Sequence, residues 1–226
     1  MQRYILNNET KTFYKTDLHH IKNVMRMKSG DQVIVCLNNE CYLSELIIND
    51  EITYNFIEKI EQEQSTNITL IQGLIKGSKI ETTLKYGTIF GAKAFILAEF
   101  DRSIVKVKNN DNKLERYFNI VKEAAELSHR ESIPNIEIVQ KLKNINWDNF
   151  DVVILADEEE QLINLRDIID VELLNQRIAV IVGPEGGISN QERTYFQSIN
   201  AKSVSLGKYI YPAEIAAISL LNDLKK

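Results

Sequence analysis

The stretch Ile178-Ala-Val-Ile-Val-Gly-Pro-Glu-Gly-Gly-Ile-Ser189 decides the fold. Residues 178–182 are a short β-branched run, typical of parallel strands that are covered on both faces. Gly183 ends the run, and Ser189 followed by Glu192 is a capping box that predicts the start of a helix. The stretch therefore predicts a buried strand, a glycine turn with an exposed main chain, and a helix. Open α/β sheets bind ligands at such carboxyl ends of strands.

This turn alone has two interpretations. One is an ordinary strand-to-helix connection, and the other is a ligand site where missing side chains let a flat molecule approach the main chain. The sequence contains neither the G-x-x-x-x-G-K-[ST] motif of nucleoside triphosphate sites nor a G-x-G-x-x-G motif after the first strand. A ligand at this turn is therefore not held by either standard phosphate-binding loop.

The pattern along the chain predicts two domains, residues 1–64 and residues 65–226. The polar run 61–67 is the linker candidate. Beyond it, strand and helix patterns alternate, which predicts an α/β domain with a parallel sheet between helices. The predicted strands cover residues 68–74, 94–98, 152–156, 178–182 and 203–206, and the predicted helices cover residues 78–90 and 113–128 and begin again at Ser189 and Pro212.

Short β-type runs dominate the first predicted domain. Residues 33–36 and 41–48 flank Asn38-Asn39, a dipeptide typical of hairpin turns, and several such strands close naturally into a small β-barrel. A short helix is predicted over residues 17–30, with Asp17 as its cap. Its predicted apolar face consists of Leu18, Ile21, Val24 and Met25.

The composition is that of a soluble globular chain. The 226 residues are 44% hydrophobic and 26% charged, and no apolar run approaches the roughly 20 residues that cross a bilayer. The amino terminus has no signal-peptide core, so we expect a cytoplasmic protein. Cys36 and Cys41 have no C-x-x-C spacing and no nearby histidine cluster, so we expect neither a metal site nor a disulfide. The net charge of −5 restricts nucleic-acid binding to a local basic patch.

Several ordered segments carry a resemblance to a known family. Val182-Gly-Pro-Glu-Gly-Gly-Ile-Ser189 and Leu206-Gly-Lys-Tyr-Ile-Tyr-Pro-Ala-Glu-Ile-Ala-Ala217 resemble the paired signature of the RsmE family, within the SPOUT superfamily of methyltransferases. The segments His20-Ile-Lys-Asn-Val-Met-Arg26 and Glu123-Ala-Ala-Glu-Leu-Ser-His-Arg130 also match, and the resemblance covers nearly the whole chain. This family methylates N3 of a uridine in small-subunit (16S) ribosomal RNA.

The resemblance implies a PUA-like β-barrel over residues 1–64 and a SPOUT-type α/β domain with a deep trefoil knot over residues 65–226. It also implies a homodimer, S-adenosylmethionine (SAM) as cofactor, and 16S ribosomal RNA or the small ribosomal subunit as partner, without metal or membrane. Main-chain groups of three loops would hold SAM. The implied cofactor-binding residues are Leu155, Ala156, Val182, Gly183, Pro184, Glu185, Gly186, Gly187, Leu206, Gly207, Tyr209 and Ile210.

The chain also departs from the family pattern. In the segment usually written L-G-x-R-I-L-R-x-E-T-A, Tyr209 and Pro212 replace both arginines, while Glu214 is retained. In two other segments the usual lysine, glutamate and glutamine are replaced by Tyr86, Ile89 and Leu127. Lost cations matter because a uridine N3–H is weakly acidic, and a nearby cation favours its deprotonated form. The departures therefore concern catalysis more than fold or cofactor.

The catalytic candidates are Glu214, Lys208 and Arg130, the two cations as substitutes for the missing arginines. A purely structural role for Glu214 stays open, since a carboxylate in the first turn also stabilises its helix by about 0.3 to 1 kcal/mol. Tyr209 and Tyr211 either stack on a base that is turned out of its helix or simply pack against the protein.

Basic side chains in both predicted domains are the RNA-binding candidates. They are Arg3, Lys22, Arg26 and Arg102. Each one alone is equally well an ordinary solvated charge. Together they would supply the salt-dependent attraction to phosphates that nucleic-acid binding requires.

Three functions are compatible with these patterns. The one we favour is SAM-dependent methylation of uridine N3 in 16S ribosomal RNA. The second is a catalytically degenerate RNA-binding or ribosome-assembly protein that kept the fold, which the replaced residues motivate. The third, from fold class alone, is a nucleotide-dependent enzyme of the doubly wound type, which the missing phosphate-binding motifs disfavour.

Overall fold

The structure is a computed structural model that describes residues 1–61, 65–107 and 111–224. The described residues fall into two compact units. The first unit comprises residues 1–61 and 122–133, and the second comprises the other described residues. The middle of the predicted linker lies outside the described residues, and the boundary between residues 64 and 65 stays a prediction.

The first unit contains four strands, β1 (Arg3–Ile5), β2 (Gln32–Leu37), β3 (Glu40–Ile48) and β4 (Ile52–Ile60). They form one sheet in that order, with β1 parallel to β2 and the other neighbours antiparallel. Asn38 and Asn39 form the predicted hairpin turn. Their φ angles are 52° and 61°, the positive values that two-residue hairpin turns need and that asparagine tolerates. Closure of this sheet into a barrel stays a prediction.

Cys36 and Cys41 lie directly opposite each other across this hairpin and form a disulfide, with their Cα atoms 4.0 Å apart. The disulfide corrects the expectation from the sequence that these cysteines are unpaired. Spacing along the chain was a poor guide, because the antiparallel register is what places the two residues face to face.

The predicted helix over residues 17–30 is shorter and wound differently. Helix α1 covers Lys15–His19 and continues as a π-helical turn over His20–Val24. A π turn has more residues than an α turn and so rotates the following side chains away from the predicted face. Val24 and Met25 are therefore 58% and 40% exposed, and their assignment to the apolar face is wrong.

Asp17 lies inside α1 and is buried, where the sequence predicted it as the cap that precedes the helix. Its carboxylate pairs with the buried ammonium group of Lys122, which belongs to helix α3 (Asp111–Leu127). The same ammonium group lies 2.7 Å from Oε1 of Glu126. Burial raises the pKa of Asp17. Burial, opposed by Lys122 and assisted by the charge of Asp17, raises the pKa of Glu126 to about 7.

The second unit contains the predicted parallel sheet. Its strands are β5 (Asn67–Gly73), β6 (Ala92–Ala98), β7 (Asn135–Val139), β8 (Val152–Ala156), β9 (Arg177–Val182) and β10 (Lys202–Val204). Its helices, besides the start of α3, are α2 (Lys79–Ile89), α4 (Leu165–Ile168), α5 (Val171–Leu174), α6 (Asn190–Ser198) and α7 (Ala213–Leu224). The strand order is β10-β8-β9-β5-β6-β7, and every neighbouring pair is parallel. The mixed α/β fold with a parallel sheet is thus confirmed, whereas the knot stays a prediction.

Helices cover both faces of the parallel sheet. On one face, Phe196 of α6 packs with Ile71 of β5 and Ile181 of β9 in a buried core. Because neighbouring side chains along a strand point to opposite faces, the alternate residues, such as Phe95 of β6, face the other side. There α2 and α7 contact each other and the sheet, and a Cβ added to Gly87 of α2 would lie 2.7 Å from the Phe95 ring. This two-sided burial explains the uninterrupted apolar run of β9.

In the first unit, the ammonium group of Lys122 is shared by Asp17 and Glu126. This arrangement predicts that the stability of the fold depends on pH. The native pKa of Glu126 is about 7 and that of an unfolded glutamate is about 4.3, so the native state holds an extra proton between these values. The contribution of Glu126 to the free energy of unfolding therefore decreases as the pH rises through this window, by on the order of 3 kcal/mol. Glu126→Gln should remove this slope in urea denaturation curves recorded between about pH 5 and pH 8.

Glu123→Gln is the matched control, because Glu123 is exposed on the same helix. This variant should keep the slope of the wild-type protein. An unchanged slope in Glu126→Gln would show that the buried carboxylate does not hold the extra proton.

Candidate active site

Three loops at the carboxyl ends of β8, β9 and β10 enclose one cavity of about 820 Å³. The three strands are neighbours in the parallel sheet, so their loops meet at the same edge. The lining consists of residues within 156–164, 182–187 and 205–213, together with Lys79 and Ala216. The volume lies within the range of small-molecule sites, roughly 300 to 1,000 Å³.

The turn after β9 passes so close to its neighbours that side chains do not fit. A Cβ added to Gly73, the last residue of β5, would lie 2.6 Å from the backbone nitrogen of Pro184. A Cβ added to Gly186 would lie 2.9 Å from the carbonyl oxygen of Arg102. Gly187 also has a φ of 71°, which favours glycine. At the glycines of this turn, the close approach leaves only main chain at the wall of the cavity.

Buried polar side chains hold the glycine turn in place. Gln72 donates from Nε2 to the carbonyl oxygen of Gly183 at 3.3 Å. The predicted capping box is confirmed, because Ser189 Oγ accepts from the Glu192 amide at 3.2 Å and the Glu192 carboxylate accepts from the Ser189 amide at 2.8 Å. The other oxygen of Glu192 accepts from the amide of Asp101 at 2.8 Å, which ties the helix start to the segment after β6.

Arg193 of α6 joins the loop after β8 to the glycine turn. Its Nε and Nη2 atoms donate to the two carboxylate oxygens of Asp157 at 2.8 Å each. Nη2 also donates to Glu158 at 3.2 Å, and Nη1 donates to the carbonyl oxygen of Ile188 at 2.9 Å. Burial acts to raise the pKa of Asp157, but the hydrogen bonds from Arg193 outweigh it and hold the pKa below its usual value. A bidentate, mostly buried pair of this kind fixes the loop in one position.

The structure brings the predicted cofactor-binding residues together, with one exception. All of them except Leu155 line the cavity. Leu155 is 1% exposed and packs in the core beneath the cavity loops. Tyr209 and Ile210 are 71% and 76% exposed, so within one chain Tyr209 does not simply pack against the protein.

The predicted catalytic residues have three different surroundings. Lys208 lines the cavity, with its Nζ atom 5.9 Å from the centre of the Tyr209 ring. Glu214 lies in the first turn of α7, where its side chain is 14% exposed. Arg130 belongs to the first unit and is not among the residues that line the cavity. Its side chain is buried, and burial lowers the pKa of its guanidinium group.

The predicted RNA-binding residues also differ in accessibility. Lys22 and Arg26 are exposed on the first unit. Arg3 donates from Nη1 to two backbone carbonyl oxygens of the first unit, and burial lowers the pKa of its guanidinium group. Arg102 is exposed and donates to the carbonyl oxygen of Gly186, in the glycine turn, at 3.2 Å.

Comparison with known proteins identifies the family. A sequence profile described as an RNA methyltransferase domain matches residues 62–225, and one described as an RNA methyltransferase PUA domain matches residues 13–52. The chain is 31% identical to ribosomal RNA small subunit methyltransferase E of Bacillus subtilis, across 99% of this chain and 96% of that protein. The chain belongs to the RsmE family of RNA methyltransferases.

Further RsmE relatives match over the same length. The protein of the same name from Mesomycoplasma hyopneumoniae is 28% identical and is matched over 100% of both chains. The crystal structure of a ribosomal RNA small subunit methyltransferase E from Neisseria gonorrhoeae bound to S-adenosyl methionine has a TM-score of 0.81 at 22% identity, and covers 98% of this chain and 95% of that one. At this identity the structural likeness shows a shared fold.

Sequence patterns missed several residues that build the site of this RsmE chain. They are Gln72, Lys79, Asp157, Glu158 and Arg193. Asp157 and Glu158 directly follow a predicted strand, a position where ligand sites of parallel sheets form, and could have been found from that placement. Arg193 offered no such signal, because only the folded chain brings its helix to the loop after β8.

The described residues of this RsmE chain contain no group of three or more His, Cys, Asp or Glu side chains that could hold a metal ion. Among the described helices, none is both long and apolar enough to cross a bilayer.

The buried ion pair between Arg193 and Asp157 of the RsmE chain predicts that its loss strongly lowers the stability of the fold. Arg193→Met leaves the carboxylate of Asp157 buried without its main partner, which should lower the free energy of unfolding by about 3 kcal/mol in urea denaturation. Arg166→Met is the matched control, because Arg166 is 79% exposed and its nearest carboxylate, Asp223, is 3.8 Å away. The control should cost at most about 0.5 kcal/mol. Equal effects of the two substitutions would contradict a structural role for the bridge.

Proposed function

We propose that this RsmE-family chain transfers the methyl group of SAM to N3 of a uridine in 16S ribosomal RNA. The observation that carries the proposal is the cavity that three loops form together at the carboxyl ends of β8, β9 and β10. The names of the relatives and the SAM-bound structure from Neisseria gonorrhoeae support this choice of reaction and cofactor.

The residues of the cavity fit SAM. Gly207 has a φ of 117°, which favours glycine, and a Cβ added to it would meet open space at this part of the lining. Carboxylates of the loop after β8, including Glu158 and Glu160, provide negative charge for cationic groups, and Leu206 and Ile210 provide apolar surface. Residues 182–187 and 205–210 would hold SAM, which supplies an electrophilic methyl group on a sulfonium.

Lys208 and Glu214 are the proposed catalytic residues. Methyl transfer needs little covalent help, and alignment of the reactants alone can lower the barrier by roughly 7 to 11 kcal/mol. The accepting nitrogen must lose its proton, and the ammonium group of Lys208 at the cavity would favour the anionic base. Glu214 would accept a hydrogen bond from a ribose hydroxyl of the target nucleotide and so orient it. We do not include Arg130, because its side chain is buried in the first unit.

The proposal assigns RNA binding to the PUA-like domain over residues 1–64 and methyl transfer to the knotted SPOUT-type domain over residues 65–226. The two sequence profiles support this division. Within the first domain, the exposed side chains of Lys22 and Arg26 are the proposed phosphate contacts. Arg102 is the proposed contact beside the glycine turn.

We include a homodimer in the proposal. Leu162, Val171 and Ile210 are 92%, 74% and 76% exposed, which is unusual for large apolar side chains, and a second copy would cover such surface.

The proposed ribosomal substrate also supports the cytoplasmic location that the sequence predicts.

The decisive experiment is transfer of a labelled methyl group from SAM to small ribosomal subunits that lack the modification. We expect 3-methyluridine in the product, identified by mass spectrometry, and a rate lowered about 100-fold in Lys208→Met, because a donor next to the developing anion is lost. No transfer by folded protein that binds SAM would favour the non-catalytic RNA-binding function.

The proposed phosphate contacts predict a change in salt dependence. In Lys22→Met/Arg26→Met, the slope of the logarithm of RNA affinity against the logarithm of salt concentration should be shallower by about 1.5, since two phosphate contacts are lost. Lys93→Met/Lys141→Met removes the same charge from exposed positions of the second unit and serves as control. The same change of slope in both double variants would refute a specific contact.

A further inference from the structure

Lys79 connects two loops that wall the cavity. It is the first residue of α2 and lines the cavity. Its Nζ atom lies 3.5 Å from Oε2 of Glu214, at the start of α7, and 4.0 Å from Oε1 of Glu185, in the glycine turn. Oε1 of Glu185 also accepts from the backbone amide of Lys76 at 3.0 Å. One ammonium group thus lies between carboxylates that follow two different strands.

The position of Lys79 is unfavourable for its own helix. The start of a helix carries partial positive charge, so a lysine at the first position is repelled by it. The two carboxylates compensate for this repulsion. Lys79 is thus unfavourable for α2 but pairs with carboxylates next to the cavity. This combination points to a role of Lys79 in the site, and not in α2 alone.

Glu214 retains unused hydrogen-bonding capacity. Its Oε2 atom is buried and forms no hydrogen bond with the described part of the chain, although Lys79 attracts it from 3.5 Å. Buried carboxylate oxygens normally accept hydrogen bonds, because an unpaired one is costly. Pro212, Ala213 and Ala216, around Glu214 in the sequence, line the cavity. A bound molecule with an N–H or O–H group could therefore complete this carboxylate.

The other cation of the lining has a different environment. Lys208 lies next to the exposed Tyr209 ring, and the described residues provide no carboxylate within ion-pair distance of it. The two lysines thus have different roles. Lys208 is free to approach a ligand, whereas Lys79 acts on the carboxylates of the protein itself.

We propose that Lys79 is a positioning residue for methyl transfer. It holds the carboxylate of Glu214 next to the cavity, so that Oε2 accepts a hydrogen bond from a ribose hydroxyl of the methyl-accepting nucleotide, and it links this carboxylate to the glycine turn through Glu185. The proposal rests on the proposed function. It assigns to Lys79 the orientation of the base and not the binding of SAM.

The test separates orientation from binding. Single-turnover rates of methyl transfer and the Kd for SAM, by calorimetry, are measured for the wild-type protein, Lys79→Met, Lys79→Arg and Lys93→Met. We expect Lys79→Met to lower the rate about 10- to 100-fold while the Kd for SAM changes less than about threefold, because a slightly misplaced base reacts slowly. Lys79→Arg should restore the rate to within about threefold, and the exposed control Lys93→Met should be unchanged.

A double-variant comparison tests the route through Glu214. Glu214→Gln should also lower the rate, and Lys79→Met/Glu214→Gln should be no slower than Glu214→Gln alone, to within about twofold, because both changes remove the same interaction. If Lys79→Met does not fold, Lys79→Gln, which keeps a polar end group, takes its place. Additive losses in the double variant would overturn the route through Glu214.

The outcomes also separate this proposal from the function on which it rests. A wild-type protein that binds SAM but transfers no methyl group overturns both. An active wild-type protein with a normal rate in Lys79→Met overturns the positioning role alone. Equal losses of rate and SAM affinity in Lys79→Met, with a lower melting temperature, would also overturn the positioning role. They would show that Lys79 only holds the loops together.

Discussion

The close approach between the end of β5 and the turn after β9 is the constraint on which the site depends. Backbone atoms of Pro184 occupy the space where a side chain at Gly73 would be, and Arg102 occupies that space at Gly186. The turn can therefore present main-chain groups to the cavity only because the sequence has glycine at these positions. The apolar strand β9 before the turn also contributes, because its burial on both faces fixes where the turn begins.

Paired charges keep the other loops against this turn. The loop after β8 carries four consecutive acidic residues, 157–160, and the first three, Asp157, Glu158 and Glu159, pair with Arg193. Without that guanidinium group these carboxylates would repel one another, and the loop would lose its connection through Arg193 to the carbonyl oxygen of Ile188. Lys79 has the corresponding position between Glu185 and Glu214. The cavity is thus shaped by hydrogen-bonded and ionic pairs on a rigid sheet, which suits a site that must align two reactants.

Local patterns predicted those parts of the structure that local physics determines. The Asn38-Asn39 turn, the capping box at Ser189 and the parallel sheet follow from φ preferences, hydrogen bonds within one turn and two-sided burial. The cavity loops followed from the resemblance to RsmE proteins. What the sequence did not predict depends on contacts between distant segments: the π turn after α1, the disulfide across the hairpin, and the ion pairs of Lys79, Lys122 and Arg193. Charged residues look solvated in a sequence, because nothing in one segment shows which partner will bury them.

The replacement of both family arginines by Tyr209 and Pro212 is compatible with retained chemistry for a physical reason. Methyl transfer from a sulfonium depends on alignment and on charge near the accepting atom, and neither requires a guanidinium group at one fixed position. The lining of this chain still has two cations, Lys79 and Lys208, that reach it from different segments. Pro212 begins the segment that leads into α7, where its fixed φ suits a helix start, so the substitution stiffens the backbone beside Glu214. The chain thus loses the charge contacts of two arginines but holds the carboxylate of Glu214 more rigidly. Rigidity is what a mechanism based on alignment requires.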